Sequence, residues 1–265
     1  MLRNTLLTGI LLISTALPAS AETVAPSLEL LNQQIQLRIA NRQPAYWGEN
    51  APGVRTRLET NDRVIALTLD ACGSAKGKGV DMQLLDFLIR KQIPATLFIN
   101  ARWIDANPEL FRQLAASPLF EIANHGTWHK PASVNGRSAY GISGTKNVRE
   151  LIDEIELNAR KIEAITGKRP RLYRSGTAYY DELAVQVAKG LQHDVAGFSL
   201  LGDAGATWSA AQVKAALMKA LPGDIALLHM NHPESGTGAG IIAAVPELQQ
   251  RGFRFVRMSD FPGSP

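Results

Sequence analysis

The stretch VIALTLDACGSAKGKGVD, residues 64–81, decides how the chain is read. VIALTL is short, apolar and rich in β-branched residues, as a strand covered on both faces should be. It ends on one carboxylate, Asp70. Ala71 and Cys72, the only cysteine in the chain, come next, followed by a loop of glycines and lysines. Asp81 then stands where an N-cap is needed for MQLLDFLIRK, whose Leu84, Leu85, Leu88 and Ile89 make one apolar face. Strand, glycine loop and capped helix make one half of a crossover unit, and the polar residue at the strand end lies where such units place their chemistry.

The same unit recurs down the chain. Further strand candidates are ATLFIN (95–100), FEIANH (120–125), RLYRS (171–175), DVAGFSL (194–200), DIALLHM (224–230) and FRFVRM (253–258). Helical patterns fill the gaps. WIDANPELFRQLAAS holds a helix entered through Pro108. Asn147 with Glu150 resembles a capping box before VRELIDEIELNARKIEAIT, and Gly167 and Pro170 stop that helix. SAAQVKAALMKAL (209–221) and IIAAVPELQQ (241–250) follow. This alternation predicts an α/β fold with a parallel sheet of about seven strands, either open or closed into a barrel. No glycine-rich phosphate loop of standard spacing follows a strand, which argues against a nucleotide fold.

The remaining segments are read by their composition. Residues 1–21 carry one early positive charge, an apolar run too short to span a bilayer, and a small-x-small end at Ala19-Ser20-Ala21. They read as a secretory signal peptide. Residues 22–61 read as an N-terminal extension with helical spacing at Leu28, Leu31, Ile35 and Ile39, and residues 62–265 as the main domain. No later stretch predicts stable membrane insertion. A single cysteine excludes an internal disulfide, so Cys72 is free, buried, a ligand or paired with another chain, and burial is the expectation. The net charge of +4 suits an acidic envelope polymer. No basic block interleaved with aromatics points to nucleic acid. Oligomeric state is not legible.

The strand ends deliver a specific set. The first gives Asp70, the third gives His125 and His129 in NHGTWH, and the fourth gives Arg174. Asp203 follows the fifth, and the sixth gives His229 with His232 just beyond. Each has a bland reading. Asp70 and Asp203 alone are turn or cap residues, Arg174 an ordinary ion-pair partner, His229 a hydrogen-bonded core histidine and His232 loop surface. Together they are more specific. Two imidazoles four residues apart suit a divalent metal such as zinc. A carboxylate can take a proton from water, a guanidinium can orient that carboxylate, and a histidine can protonate a leaving atom. These are the parts of metal-assisted amide or ester hydrolysis.

TLD, HGTWH, YRSG and LLH, in this order and at these intervals, resemble the polysaccharide deacetylases of the NodB-homology type, carbohydrate esterase family 4. The resemblance covers roughly residues 62–261. It implies a distorted (β/α) barrel of about seven parallel strands, here with an N-terminal helical extension. It also implies removal of acetyl groups from a polysaccharide with a divalent metal. By position, Asp70 is the implied general base, His125 and His129 metal ligands, Arg174 the group that orients Asp70, His229 the general acid and Asp203 its acidic partner.

One departure stands in the opening stretch. The family carries two adjacent aspartates, the second a metal ligand, and here that second position is Ala71. Three replacements are open: water, Asp70 itself, or Cys72 as thiolate. The loop 130–147, TAYYDE (177–182) and Trp128 offer hydroxyls and aromatic faces for a sugar, or an ordinary solvated rim. The sequence therefore predicts an exported deacetylase acting on an envelope or extracellular glycan. Its rivals are an inactive barrel of the same fold that binds glycan or serves envelope assembly, and a hydrolase of small amides.

Overall fold

The computed structural model describes residues 26–263, so the segment read as a signal peptide lies outside the described residues. In chain order the elements are α1 (Leu28–Ile39), β1 (Val64–Ala71), α2 (Met82–Arg90), β2 (Ala95–Ile99), α3 (Ala101–Ala106), α4 (Pro108–Ala116) and β3 (Phe120–Asn124). A small hairpin, β4 (Ser138–Ala139) and β5 (Ile142–Ser143), precedes α5 (Val148–Thr166), β6 (Leu172–Tyr173), α6 (Glu182–Gly190), β7 (Asp194–Val195) and β8 (Leu200–Leu201). Last come α7 (Ala210–Leu217), β9 (Asp224–His229), α8 (Thr237–Gln250) and β10 (Arg254–Val256).

The main sheet is parallel throughout, in the order β7-β6-β3-β2-β1-β9-β8. β9 lies along one edge of β1, while β2 and β10 share the other, β10 at the amino half and β2 at the carboxyl half. The strand candidate 194–200 proves to be two strands, β7 and β8, at opposite ends of the sheet. Residues 196–199 run directly from one to the other, so the sheet curls into a distorted half-barrel. Every residue of β1 is buried, which explains why it is apolar throughout save Thr68 and Asp70.

Strand alternation sorts β1 into two faces. Leu67, Leu69 and Ala71 pack outward with Leu84, Leu88 and Trp103 in the core under the helices. Val64 and Ala66 pack inward with Phe98, Ala123, Ile225 and Met258, filling the lower barrel. Thr68 and Asp70 continue that inner face upward. A third cluster joins α1, α5 and α6 through Ile35, Ile39, Leu151, Ile155 and Val187. The segment after α1 is knit to the barrel by bridges from Gly48 to Tyr180, Arg55 to Ala196 and Arg57 to Asp224.

The local signals are mostly where the sequence put them. Asp81 Oδ1 accepts the Leu84 N–H at 2.9 Å. Gly167 closes α5 at φ 70°, a left-handed conformation that costs glycine little. Four details differ. Ile89 is exposed and Phe87 takes its place in the core. The helix expected between 100 and 120 is two, broken at Asn107 with Pro108 opening the second. Asn147 caps α5 through the Glu150 N–H, but the Glu150 carboxylate accepts from Lys146 N rather than Asn147 N, so the box is half formed. Finally, α6 fills the segment between RLYRS and DVAGFSL, for which no helix is assigned from the sequence. Asp181 caps it by accepting the Ala184 N–H, and its buried stripe is Leu183, Ala184, Val187 and Ala188.

Candidate active site

Asp70 and His229 are paired positions on neighbouring strands β1 and β9. They sit at the carboxyl ends of parallel strands, where side chains rise above the packed barrel. The Asp70 side chain is almost fully buried and accepts a 2.7 Å hydrogen bond on Oδ1 from Arg174 Nη1. Arg174 is wholly buried, one residue past β6. It also donates to Thr68 Oγ1 (2.9 Å) and the Gly197 carbonyl (2.9 Å), and its guanidinium stacks 4.1 Å over the Phe98 ring. A planar fork with that many partners fixes the carboxylate rather than merely neutralising it. Asp70 Oδ2 is left facing His125 Nε2 at 3.6 Å.

His125 and His129 enter on the loop after β3. Asn100 holds that loop from below, donating to the His125 and Gly126 carbonyls at 3.0 and 2.8 Å. Glu154 of α5 holds it from the side, accepting the Trp128 and Lys130 N–H groups at 2.8 and 3.1 Å. Gly126 is required there: at φ 73°, a Cβ would lie 2.2 Å from Glu154 Oε1. His129 is itself left-handed at φ 64°, a conformation that costs a non-glycine residue and is held by the surrounding loop. Gly176 allows the approach, since a Cβ on it would meet the His129 carbonyl carbon at 2.3 Å. Burial pushes the Glu154 carboxyl up to about 7, against the backbone N–H groups that favour its charge.

The two imidazoles meet edge to face, with ring centroids 4.9 Å apart. His125 Nδ1 sits 3.0 Å from the Arg174 carbonyl, which takes an N–H there and leaves Nε2 as a lone pair aimed inward. Cys72, half-buried rather than lost in the core, turns the same way, with Sγ 3.8 Å from that nitrogen. The donor atoms of Cys72, His125 and His129 all lie within 4.8 Å of one another. Burial disfavours an imidazolium at His125, yet the Asp70 carboxylate and the Cys72 sulfur raise its pKa above the ordinary histidine value. The field that favours a proton on Nε2 also favours a metal cation there.

His229 faces Asp203 through Nδ1, at 3.0 and 3.1 Å from the two carboxylate oxygens. Asp203 Oδ2 also accepts the His229 backbone N–H (2.8 Å) and the Thr237 hydroxyl (2.9 Å). Burial opposes the charged imidazole, but the Asp203 carboxylate outweighs it and holds His229 well above its ordinary pKa. Burial would likewise raise Asp203, and the same pairing holds it below the usual carboxylate range. His229 Nε2 is thereby left to the site. His232 stands apart, paired with exposed Glu234 at 2.8 Å.

Asp70, His125, His129, Arg174, His229 and Asp203 thus form one cluster. Glu154 was missed in sequence, although a signal existed: it shares the buried face of α5 with Leu151, Asn158 and Ile162 at helical spacing, where an acid needs a reason. An aromatic group on the rim was only partly foreseen. Trp47 packs on Tyr179 (5.7 Å) and Tyr140 on Tyr179 (5.3 Å), with Arg137 over the Trp47 ring. Trp47 comes from the N-terminal extension and Tyr140 from the β4–β5 hairpin. A cleft of about 810 Å³ lined by Arg55, Glu121, Arg169 and Arg257 opens at the amino ends of β3, β6 and β7 instead, away from this chemistry.

The chain resembles known proteins in the same region. The family model for polysaccharide deacetylase matches residues 57–196. A peptidoglycan-N-acetylglucosamine deacetylase of Bacillus cereus is 26% identical over 78% of this chain and 92% of its own length. The peptidoglycan-N-acetylmuramic acid deacetylase PdaA of Bacillus subtilis is 22% identical over 84% of this chain and 82% of its own. Among solved structures, a CE4 family pseudoenzyme from Bacillus anthracis superposes with a TM-score of 0.67 at 21% identity, covering 80% of this chain and 69% of that one. With that match, the half-barrel and its rim, the chain belongs to the polysaccharide deacetylase family of hydrolases.

Proposed function

We propose that this chain is an exported, metal-dependent deacetylase that hydrolyses acetyl groups, as amide or ester, from an envelope or extracellular polysaccharide. The observation that carries the reading is Asp70 and His229 side by side on β1 and β9, with Asp70 Oδ2 3.6 Å from His125 Nε2 of the paired imidazoles. His125 and His129 fit a divalent metal, zinc by chemistry. His129 Nε2 is buried without a hydrogen-bond partner among the described residues, and His125 Nε2 presents a lone pair beside it. Such a metal supplies Lewis acidity toward the acetyl carbonyl and the attacking water.

The chain's own residues supply the proton transfers. Asp70 Oδ2 takes the proton of the attacking water while Arg174 keeps Oδ1 occupied. His229, held protonated by Asp203, gives a proton from Nε2 to the departing sugar nitrogen or oxygen. Residues 62–265 form the catalytic unit, with 22–61 as an extension that lends Trp47 to the rim. The relatives' named substrates and the Trp47–Tyr179–Tyr140 group support a glycan. No helix among the described residues is long and apolar enough to cross a membrane. The signal-like start supports export to the periplasm or beyond.

A second reading is an inactive barrel that binds glycan or serves envelope assembly. Ala71, with no donor atom where the family carries an aspartate, favours it, and a pseudoenzyme shares the fold. Acetate release from acetylated peptidoglycan and chitin oligosaccharides, with and without chelator, separates the two. The expected result is release by wild type that is lost with chelator and lost in Asp70→Asn. Equal background in wild type and Asp70→Asn would leave the binding reading.

A further inference from the structure

We infer that Cys72, as a thiolate, is the third protein ligand of the metal centre, which makes it a Cys-His-His site selective for zinc. This rests on the metal-dependent reading above. The reason begins in β1. Inner-face residues alternate along the strand, so Asp70 and the residue two further on share one side. Ala71 points the other way, into the outer core with Leu69 and Trp103. Cys72, two residues past Asp70, comes to the same side, and its Sγ reaches to 3.8 Å from His125 Nε2. Gly73 fixes the turn that follows: it sits at φ 67°, and a Cβ there would lie 2.5 Å from the Trp103 nitrogen.

Distances favour the same assignment. With zinc–sulfur near 2.3 Å and zinc–nitrogen near 2.1 Å, tetrahedral ligand atoms stand roughly 3.6 Å apart. Cys72 Sγ is 3.8 Å from His125 Nε2, and small side-chain adjustments close the rest of a group already within 4.8 Å. Asp70 is outside that group. Its Oδ1 is committed to Arg174, and ligation through Oδ2 would remove the base. Water as third ligand would leave the sulfur beside the cation unused. Three protein ligands with one open position is the pattern of catalytic zinc, and a soft sulfur discriminates against magnesium and manganese.

The test uses the purified chain with cobalt(II) and zinc(II) as probes. One equivalent of cobalt is expected to give a thiolate-to-cobalt charge-transfer band in the near ultraviolet. Cys72→Ser is expected to lose that band and to bind zinc at least tenfold more weakly, taking an outer-sphere loss as the floor. A reading on wild type needs no variant to fold: zinc is expected to protect Cys72 from iodoacetamide, and chelator to restore alkylation. Cobalt bound without the band, unchanged zinc affinity in folded Cys72→Ser, or no zinc or cobalt bound at all would each overturn the assignment. A band without acetate release would keep the ligand and sink the deacetylase. Chelator-sensitive acetate release without a band would do the opposite.

Discussion

Arg174 Nη1 lies 2.7 Å from Asp70 Oδ1, and both side chains are shut off from solvent. A buried ion pair adds little net stability, because desolvation offsets attraction, but losing one partner strands the other. Arg174→Leu is therefore expected to destabilise the fold by about 3–5 kcal/mol in urea titrations. Arg174→Lys keeps the charge but loses the fork to Thr68 and Gly197, so its folded fraction should remain poorly active. Asp70→Asn keeps an acceptor for Arg174 but leaves its buried charge unpaired, so it too should lose stability, and its folded fraction should lose roughly 10²–10⁴ in kcat.

On the mechanism proposed above, the pairing of His229 with Asp203 is expected to set the basic limb of the pH–rate profile. The Asp203 carboxylate raises the folded pKa of His229 well above the ordinary histidine value, so its imidazole keeps its proton to higher pH than a free histidine would. Asp203→Asn removes the raising charge, so the limb should move toward lower pH. The pH dependence of kcat/KM measures this, and the His229 imidazole resonance should shift in the same direction.

Glu154 holds the backbone on which His125 and His129 stand. Glu154→Gln keeps an acceptor but brings an amide donor against N–H groups. Metal affinity is expected to fall about 10- to 100-fold, as for other residues that position ligands. Competition with a chelating dye would read it, and Gly126→Ala should behave similarly, because its methyl would run into the same carboxylate.

His193 gives a test remote from the site. It is buried, its ring nitrogens have no hydrogen-bond partner among the described residues, and burial together with Arg169 lowers its pKa to about 3. The unfolded chain takes up this proton near pH 6.5, while the folded chain resists it. Stability from this group is thus full above 6.5 and lost as pH falls toward 3, by up to roughly 5 kcal/mol. His193→Leu should flatten that slope in denaturant midpoints measured from pH 7 to 4.

The rim aromatics should matter for long substrates alone. Trp47→Ala and Tyr140→Ala are expected to raise KM several-fold for an acetylated oligosaccharide and to leave a small acetylated sugar unaffected, with stacking worth ~1 kcal/mol per ring. Parallel kinetics on the two substrates checks it.

The alternating apolar runs and their caps made the parallel sheet legible, because strands buried on both faces must be apolar throughout and helix ends need acceptors for their N–H groups. The order of Asp70, His125, His129, Arg174, Asp203 and His229 was legible for a related reason: strand ends are where parallel folds collect polar side chains. Glu154, Thr68 and Phe98 were not, since each acts on a residue remote in the chain. The split of 194–200 into two edge strands was hidden as well, because one apolar run serves either one strand or two.

The sequence by itself determined which residues could do the chemistry and that Ala71 cannot bind a metal. Only the tertiary structure decided that Cys72 stands where Ala71 does not, at 3.8 Å from His125 Nε2. Composition fixes which donor atoms exist. Their direction depends on which face of β1 each residue takes and on where the loop after β3 is pinned, and both are set by packing against parts of the chain far away in sequence.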